Sequence, residues 1–263
     1  MAGKTSRQWV LILGGSKGLG LATARKMAKH GYAICIVHRD RRADMVHIEK
    51  AFEQIKEDAA KFYAVNADAV NAEKRKEIIA HLGALMEKGD TVKMLVHSIA
   101  KGSMKPMNAD SGLHLSAQDI EITFKAMALS MYEWAQEVLA ANLQDPDMRV
   151  ISFTSEGNTR VIPGYGAVSV AKVALEALTR SMALELASLG VKANCVQAGI
   201  TETSSFAMIP NSDVIKQSAK ERNPSGRITT PEDVANTVYL LSLEEAKWIT
   251  GTIIKADGGE SLR

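Results

Sequence analysis

Three side chains in the middle of the chain suit one reaction. Ser155 ends the run RVISFTS, Tyr165 stands ten positions later, and Lys172 follows seven after that in YGAVSVAK. On a helix, seven residues turn about 700°. Lys172 then falls within roughly 20° of the face of Tyr165 and about 10 Å further along the axis. A phenol with an ordinary pKa of about 10 is a reluctant acid at neutral pH. A neighbouring ammonium and a charged cofactor would favour the phenolate and ease proton donation. Taken alone, the pair is equally a surface tyrosine and an unrelated lysine, so the rest of the chain decides. Ser152 and Ser155 lack a G-x-S-x-G elbow and an evident His/Asp pair, which argues against hydrolysis. The histidines show no metal-ligand spacing. His97 is the one near the proposed site, and it is not assigned as a base.

The loop LGGSKGLG (13–20) gives the pair a context. Gly14, Gly18 and Gly20 follow a first apolar strand and open a helical pattern. In that setting Gly14 permits a tight turn, Gly18 lets the backbone approach a pyrophosphate, and Gly20 lets the helix pack closely. The anion would sit on the helix N-terminus. After the second strand comes His38-Arg39-Asp40-Arg41-Arg42. His38 stands where an NAD-selective site usually places an acid, and Arg39 follows it. Arg39 and Lys17 would flank a 2′-phosphate and pair with it, so NADPH is the expected cofactor. Asp40 is within reach of a ribose and keeps NADH open. Asp68, after the third strand, is placed to accept from an adenine amine; a plain loop aspartate is the other reading.

Short apolar runs that alternate with amphipathic helices must position these residues. Strands are expected at 9–13, 33–37, 62–65, 92–97, 149–153, 191–196 and 252–256. Helices are expected over 19–30, 41–58, 71–88, 116–142 and from the YGAVSVAK segment to about Gly190. The first is stopped by Gly31. Ser116 and Asp119 form a capping box, and Thr230-Pro231-Glu232-Asp233 starts a further helix. Near-continuous apolar strands joined by helices imply an α/β fold: one domain over 1–263, with a doubly wound, Rossmann-type sheet of seven parallel strands. Ligands bind such sheets beyond the strands' carboxyl ends, where the residues above all lie.

Bulk composition excludes several classes. The chain has 263 residues, 46% of them hydrophobic, enough for a substantial core. Basic and acidic residues number 32 and 30, so no global field recruits nucleic acid or a membrane surface. Cys35 and Cys195 sit in apolar runs and read as reduced core thiols. The start, MAGKTSRQWVLIL, has no apolar run long enough for a signal peptide, and no stretch reaches transmembrane length. The expectation is a soluble, cytoplasmic protein.

The ordered set GGSKGLG, Ser155, Tyr165, Lys172, PSGRITTPEDVA (224–235) and ITGTIIKADGG (249–259) resembles the short-chain dehydrogenase/reductase superfamily over nearly the whole chain. Three departures narrow the resemblance. His97-Ser98-Ile99-Ala100 replaces the usual Asn-Asn-Ala-Gly, the Tyr–Lys gap is seven instead of four, and Ala198-Gly199 replaces Pro-Gly. These look like the enoyl-[acyl-carrier-protein] reductases of bacterial fatty-acid synthesis, and the serine at 155 is closest to an NADPH-dependent branch. The resemblance implies catalysis by Tyr165, Lys172 and Ser155. Lys172 would bind the nicotinamide ribose, and Tyr165 would hold the thioester carbonyl and protonate the enolate. It also implies dinucleotide contacts at Ser16, Leu19, Ala69, Ser98, Ile99, Ala100, Ala198, Gly199, Ile200 and Thr203. Carbonyl-reducing relatives usually carry Asn on the long helix where Met127 stands here, and Leu13 replaces the usual Thr before the glycines.

Segment 204–224, within a lid at about 200–224, fits a mobile cover in which Phe206, Met208 and Ile209 shield an acyl chain; an ordinary surface helix is the alternative. The implied partners are an acyl-carrier-protein-bound enoyl substrate and, through the stripe at 171–187, further copies in a homotetramer. That stripe is equally consistent with monomer core. Other short-chain reductases acting on a carbonyl, and a non-catalytic NADPH sensor on the same fold, are the competing readings.

Overall fold

Odd and even residues of the first strand part company. Trp9, Leu11 and Leu13 enter one core and Val10 and Ile12 the other, all fully buried. A strand covered on both faces has no solvent side, which is why WVLIL reads as one apolar run. The chain is seen here as a computed structural model describing residues 6–108, 112–203, 206–209 and 212–263. Its strands are β1 (Gln8–Leu13), β2 (Ala33–His38), β3 (Phe62–Asn66), β4 (Thr91–His97), β5 (Gln144–Ser155), β6 (Lys192–Ala198) and β7 (Ile253–Ala256). They form one seven-stranded sheet in the order 3-2-1-4-5-6-7, every neighbouring pair parallel. The order reverses between β1 and β4, which opens a crevice beyond their carboxyl ends.

The helices are α1 (Gly18–Lys29), α2 (Met45–Asp58), α3 (Ala72–Leu85), α4 (Ala117–Phe124), α5 (Ser130–Ala140), α6 (Gly166–Glu185), α7 (Ser212–Arg222) and α8 (Pro231–Leu240). On one face α1, α2 and α8 bury Met27, Phe52 and Val238; on the other α3, α5 and α6 bury Leu82, Trp134 and Leu175. Both capping boxes form, Ser116 with Asp119 and Thr230 with Asp233. Gly31 ends α1 at φ +81°. Among the described residues no helix is long and apolar enough to cross a membrane.

Two elements differ from expectation. The helix expected over 116–142 is two helices, α4 and α5, joined by a π-helical turn at Lys125–Leu129. The Ser130 hydroxyl donates back to the Ala126 carbonyl at 2.8 Å across that turn, a bond that periodicity cannot reveal. Strand β5 starts at Gln144, five residues before the expected Arg149. Its first residues are acidic because they pair sideways: Lys93 and Lys192 each lie 2.7 Å from Asp147.

Candidate active site

The three central side chains meet where β5 ends and α6 begins. Ser155 is the last residue of β5, in register with Ala198 at the end of β6. Tyr165 is the N-cap residue of α6, and Lys172 lies two turns inside the helix. The Ser155 hydroxyl lies beside the Tyr165 phenol; burial pushes the phenol's pKa up, and the interaction with Ser155 partly opposes this. Lys172 is 7% exposed and donates to the Phe153 carbonyl at 2.5 Å. Burial lowers its pKa to about 8. The direction differs from the expectation: burial is the largest influence on the phenol and raises its pKa, so in the chain alone Tyr165 is a neutral O–H donor.

The floor of this site is apolar on one side. Met127, in the π turn, is buried and packs with Val168, Ala171, Ile99 and Tyr165. His97 lies inside as well. Burial first, and then the charge of Lys172, lower its pKa to about 3, while its ring is 2.8 Å from the Ser130 hydroxyl. It is neutral at ordinary pH and serves as a core hydrogen-bonding group.

The glycine loop is built for an anion. Gly14 has φ +84°, and a Cβ there would stand 2.4 Å from the Ser98 carbonyl oxygen. A Cβ on Gly20 would stand 2.3 Å from the Gly14 oxygen. Lys17, the N-cap of α1, gives no side-chain cap, and the first turn holds no acid, so the helix's leading N–H groups have no side-chain partner. That is the arrangement a pyrophosphate requires. Thr203 lies beside Gly18, its Cγ2 3.3 Å from where a Cβ would be. The Ser98 N–H donates to the Leu13 carbonyl at 2.8 Å, which ties Ser98, Ile99 and Ala100 to the loop. The next segment, Ala198-Gly199-Ile200, is fixed by a 2.9 Å bond from the Ile200 N–H to the buried Glu260 carboxylate. Replacing Gly20 by alanine is expected to abolish dinucleotide binding and lower the melting temperature, because both colliding groups are backbone; calorimetry with and without NADPH checks it.

At the ribose end the residues come together, with different partners from those expected. His38 is buried, edge-on to Phe52, with Nδ1 2.9 Å from Asp40. Its ring therefore turns into the core, away from any ribose. Asp40 has a nearly buried carboxylate held by His38 and Lys17 and lying beside Ser16; these interactions keep its pKa below the usual range despite burial. Lys17 bridges Asp40 and Asp44 at 3.0 and 2.9 Å. Arg39 is bound to Asp68 at 2.6 Å. Asp68 also accepts from the Val70 N–H, so it orders the loop and holds Arg39. Ala69 beside it is buried, its carbonyl accepting from Trp134 Nε1 at 2.8 Å, and Leu19 packs into the core below.

A family model described as Enoyl-(Acyl carrier protein) reductase matches residues 14–261. The chain belongs to this family of the short-chain dehydrogenase/reductase superfamily. It is 30% identical to a 3-oxoacyl-[acyl-carrier-protein] reductase of Aquifex aeolicus (strain VF5), over 95% of each chain. It is 27% identical to a 1-cyclohexenylcarbonyl-CoA reductase of Streptomyces collinus, over 97% of this chain and 88% of that one. An enoyl-[acyl-carrier-protein] reductase (NADH) of Aquifex aeolicus VF5 shares the fold with a TM-score of 0.84 and 22% identity, over 98% of each chain.

In this member of the family the segment expected to be a lid is a 3-10 turn at Phe206–Met208 followed by α7. Phe206 is buried and its N–H donates to the Thr203 hydroxyl at 3.2 Å; Ile209 is half-buried. The Met208 side chain, and residues 204, 205, 210 and 211, lie outside the described residues. Sequence reasoning missed what holds α7 down. Arg222, at its end, reaches Glu156 at 2.8 Å and Glu260 at 3.0 Å. A basic residue closing a polar helix gives no hint of two carboxylates contributed by distant strand ends.

Proposed function

We propose that this oxidoreductase uses NADPH to reduce the trans-2 double bond of enoyl thioesters, with an acyl-carrier-protein-bound enoyl chain as its substrate. The observation that carries the reading is the separation of roles at β5 and α6. Tyr165 faces Ser155, while Lys172, seven residues on, is held by the Phe153 carbonyl. In enoyl reduction the new hydrogen arrives at C3 while charge develops on the oxygen of C1. A phenol set apart from the ribose-holding lysine suits that offset. Buried Met127 beside Tyr165 supports it, because carbonyl-reducing relatives usually carry a polar Asn at that place.

The loop Gly14–Gly20, Thr203 and Lys172 would hold the dinucleotide. When bound, it supplies the hydride that adds to C3. Tyr165 donates its O–H to the thioester oxygen as electrons move there, then gives up the proton to the enolate. Ser155 orients the phenol and hydrogen-bonds the phenolate left behind. Lys172 fixes the nicotinamide ribose, and Met127 with Ile99 keeps water from the floor.

The reading has a rival, reduction of a 3-ketoacyl thioester, which the Ser155–Tyr165 pair and the relative at 30% identity favour. Assaying one preparation on trans-2-enoyl and 3-ketoacyl thioesters, with each nucleotide, separates them. Faster turnover of the enoyl substrate supports the proposal; ketone reduction alone refutes it, and dinucleotide binding without turnover on either points to a sensor. For the nucleotide, Lys17 and Arg39 support NADPH, with side chains 44% and 59% exposed. Asp40 supports NADH as the second choice. Changing Arg39 to alanine is expected to raise KM for NADPH about tenfold or more while leaving NADH within about twofold; steady-state kinetics with both nucleotides checks it.

Assembly as a homotetramer is part of the proposal. Helix α6 buries Ala171 and Leu175 in the core yet leaves Val170 and Val173 about half exposed, beside half-exposed Ile122 of α4. A second copy would cover this apolar face, and light scattering reads the mass. The buried free thiols of Cys35 and Cys195 suit a reducing, cytoplasmic setting.

A further inference from the structure

A second carboxylate-bearing cluster lies directly beneath the site, and neither the proposed reaction nor the family resemblance uses it. Glu176 sits four residues after Lys172 on α6, on the same face and 9% exposed. Its Oε1 accepts from the Thr154 hydroxyl at 2.5 Å and from the Asn158 side-chain amide. Thr154 immediately precedes Ser155. Asn158 belongs to the 3-10 turn Glu156–Asn158, whose middle residue Gly157 packs against the Tyr165 ring. A Cβ on Gly157 would stand 2.7 Å from Tyr165 Cε1. One carboxylate therefore reaches the strand end that carries Ser155 and the turn that seats Tyr165.

The same group acts on Lys172 through space. The ammonium is buried with the Phe153 carbonyl as its hydrogen-bond partner. Among the titratable groups around it, His97 from β4 is neutral, since its pKa is lowered to about 3. Cys195 from β6 is pushed up by burial and remains a thiol, so it offers no anion. Tyr165 is likewise held in its neutral form. Cys195 and then Glu176 oppose the desolvation of Lys172; the thiol is itself pushed up by burial, so of the two Glu176 is the group that brings a charge.

We propose that Glu176 is a positioning residue: the buried counter-charge that holds Lys172 as a cation and, through Thr154 and Asn158, seats the catalytic strand end and the Tyr165 turn. This rests on the assignment of Lys172 to the dinucleotide ribose. A protonated lysine binds ribose hydroxyls, and a neutral one loses the charge-assisted bond. Affinity for NADPH should then fall as pH rises past the lysine's pKa, about 8 in the free protein.

The test follows cofactor affinity by NADPH fluorescence titration from pH 6 to 10, with no substrate present. E176Q keeps the side-chain shape and an oxygen for Thr154 and Asn158 but removes the charge. Its alkaline loss of affinity is expected to begin about half a pH unit or more below that of the wild type. E176D keeps the charge one methylene further back and should fall between the two. N158A cuts the link to the Tyr165 turn without touching the charge; it should lower turnover and leave the affinity profile in place. A profile in E176Q that coincides with wild type, or an equal shift in N158A, overturns the proposal. If E176Q does not fold, E176D against N158A decides on the same criterion. Failure of the enoyl reading would leave these profiles intact, whereas a wild type that binds no dinucleotide would remove the lysine assignment and this inference with it.

Discussion

Replacing Tyr165 by phenylalanine is expected to lower turnover of a trans-2-enoyl thioester about 100-fold or more, the usual cost of deleting one preorganised donor. The ring still fills the space above Gly157 and against Met127, so the melting temperature should stay close to wild type. NADPH affinity should stay within about twofold, because Lys172 makes its bond to Phe153 independently of the phenol. The pH dependence carries a sign as well. Burial raises the phenol's pKa above its ordinary value, so the donating form persists through neutral and mildly alkaline solution. The alkaline limb of the rate therefore belongs to Lys172, whose pKa of about 8 is reached first. Stopped-flow turnover alongside fluorescence titration checks both halves.

Replacing Lys172 by methionine should act the other way round. NADPH affinity is expected to fall about 10- to 100-fold, the range for losing a charge-assisted hydrogen bond from a desolvated group. Stability should fall with it at neutral pH. The methionine relieves the desolvation recorded in the lysine's lowered pKa, but it leaves Glu176 buried without its counter-charge, which costs more. Replacing both groups, K172M with E176Q, removes the stranded charge and should recover part of the loss. Thermal melts of the wild type, K172M and the double variant at pH 7 check this; a double variant no more stable than K172M would contradict the pairing.

The contrast between these two variants reflects what the sequence discloses. Tyr165, Ser155 and the glycine loop were legible because each follows an apolar strand, and a parallel sheet gathers such positions at one edge. The β1 run and the Thr230–Asp233 capping box were legible for similar local reasons. His38 was misread because spacing gives a position and no direction: the ring turns inward to Phe52, and Asp40 takes the place beside Ser16 and Lys17. The π turn at Lys125–Leu129 escaped because its extra residue leaves the apolar period almost unchanged. Glu176 did leave a trace, an acid in an otherwise small and apolar stripe four residues after a lysine. Its partners Thr154 and Asn158 come from another element, so that trace could be read only once the sheet was in place.

The arrangement of phenol, ammonium and glycine loop is best tested by isotope transfer. A trans-2-enoyl thioester is reduced with NADPH carrying deuterium at the transferred position, and separately with unlabelled NADPH in deuterium oxide; the product is read by mass spectrometry and NMR. The account predicts one cofactor-derived deuterium at C3 in the first case and one solvent-derived deuterium at C2 in the second, with both signals slowed together in Tyr165→Phe. Label from the cofactor at the carbonyl carbon, or undiminished double-bond reduction by Tyr165→Phe, would contradict it.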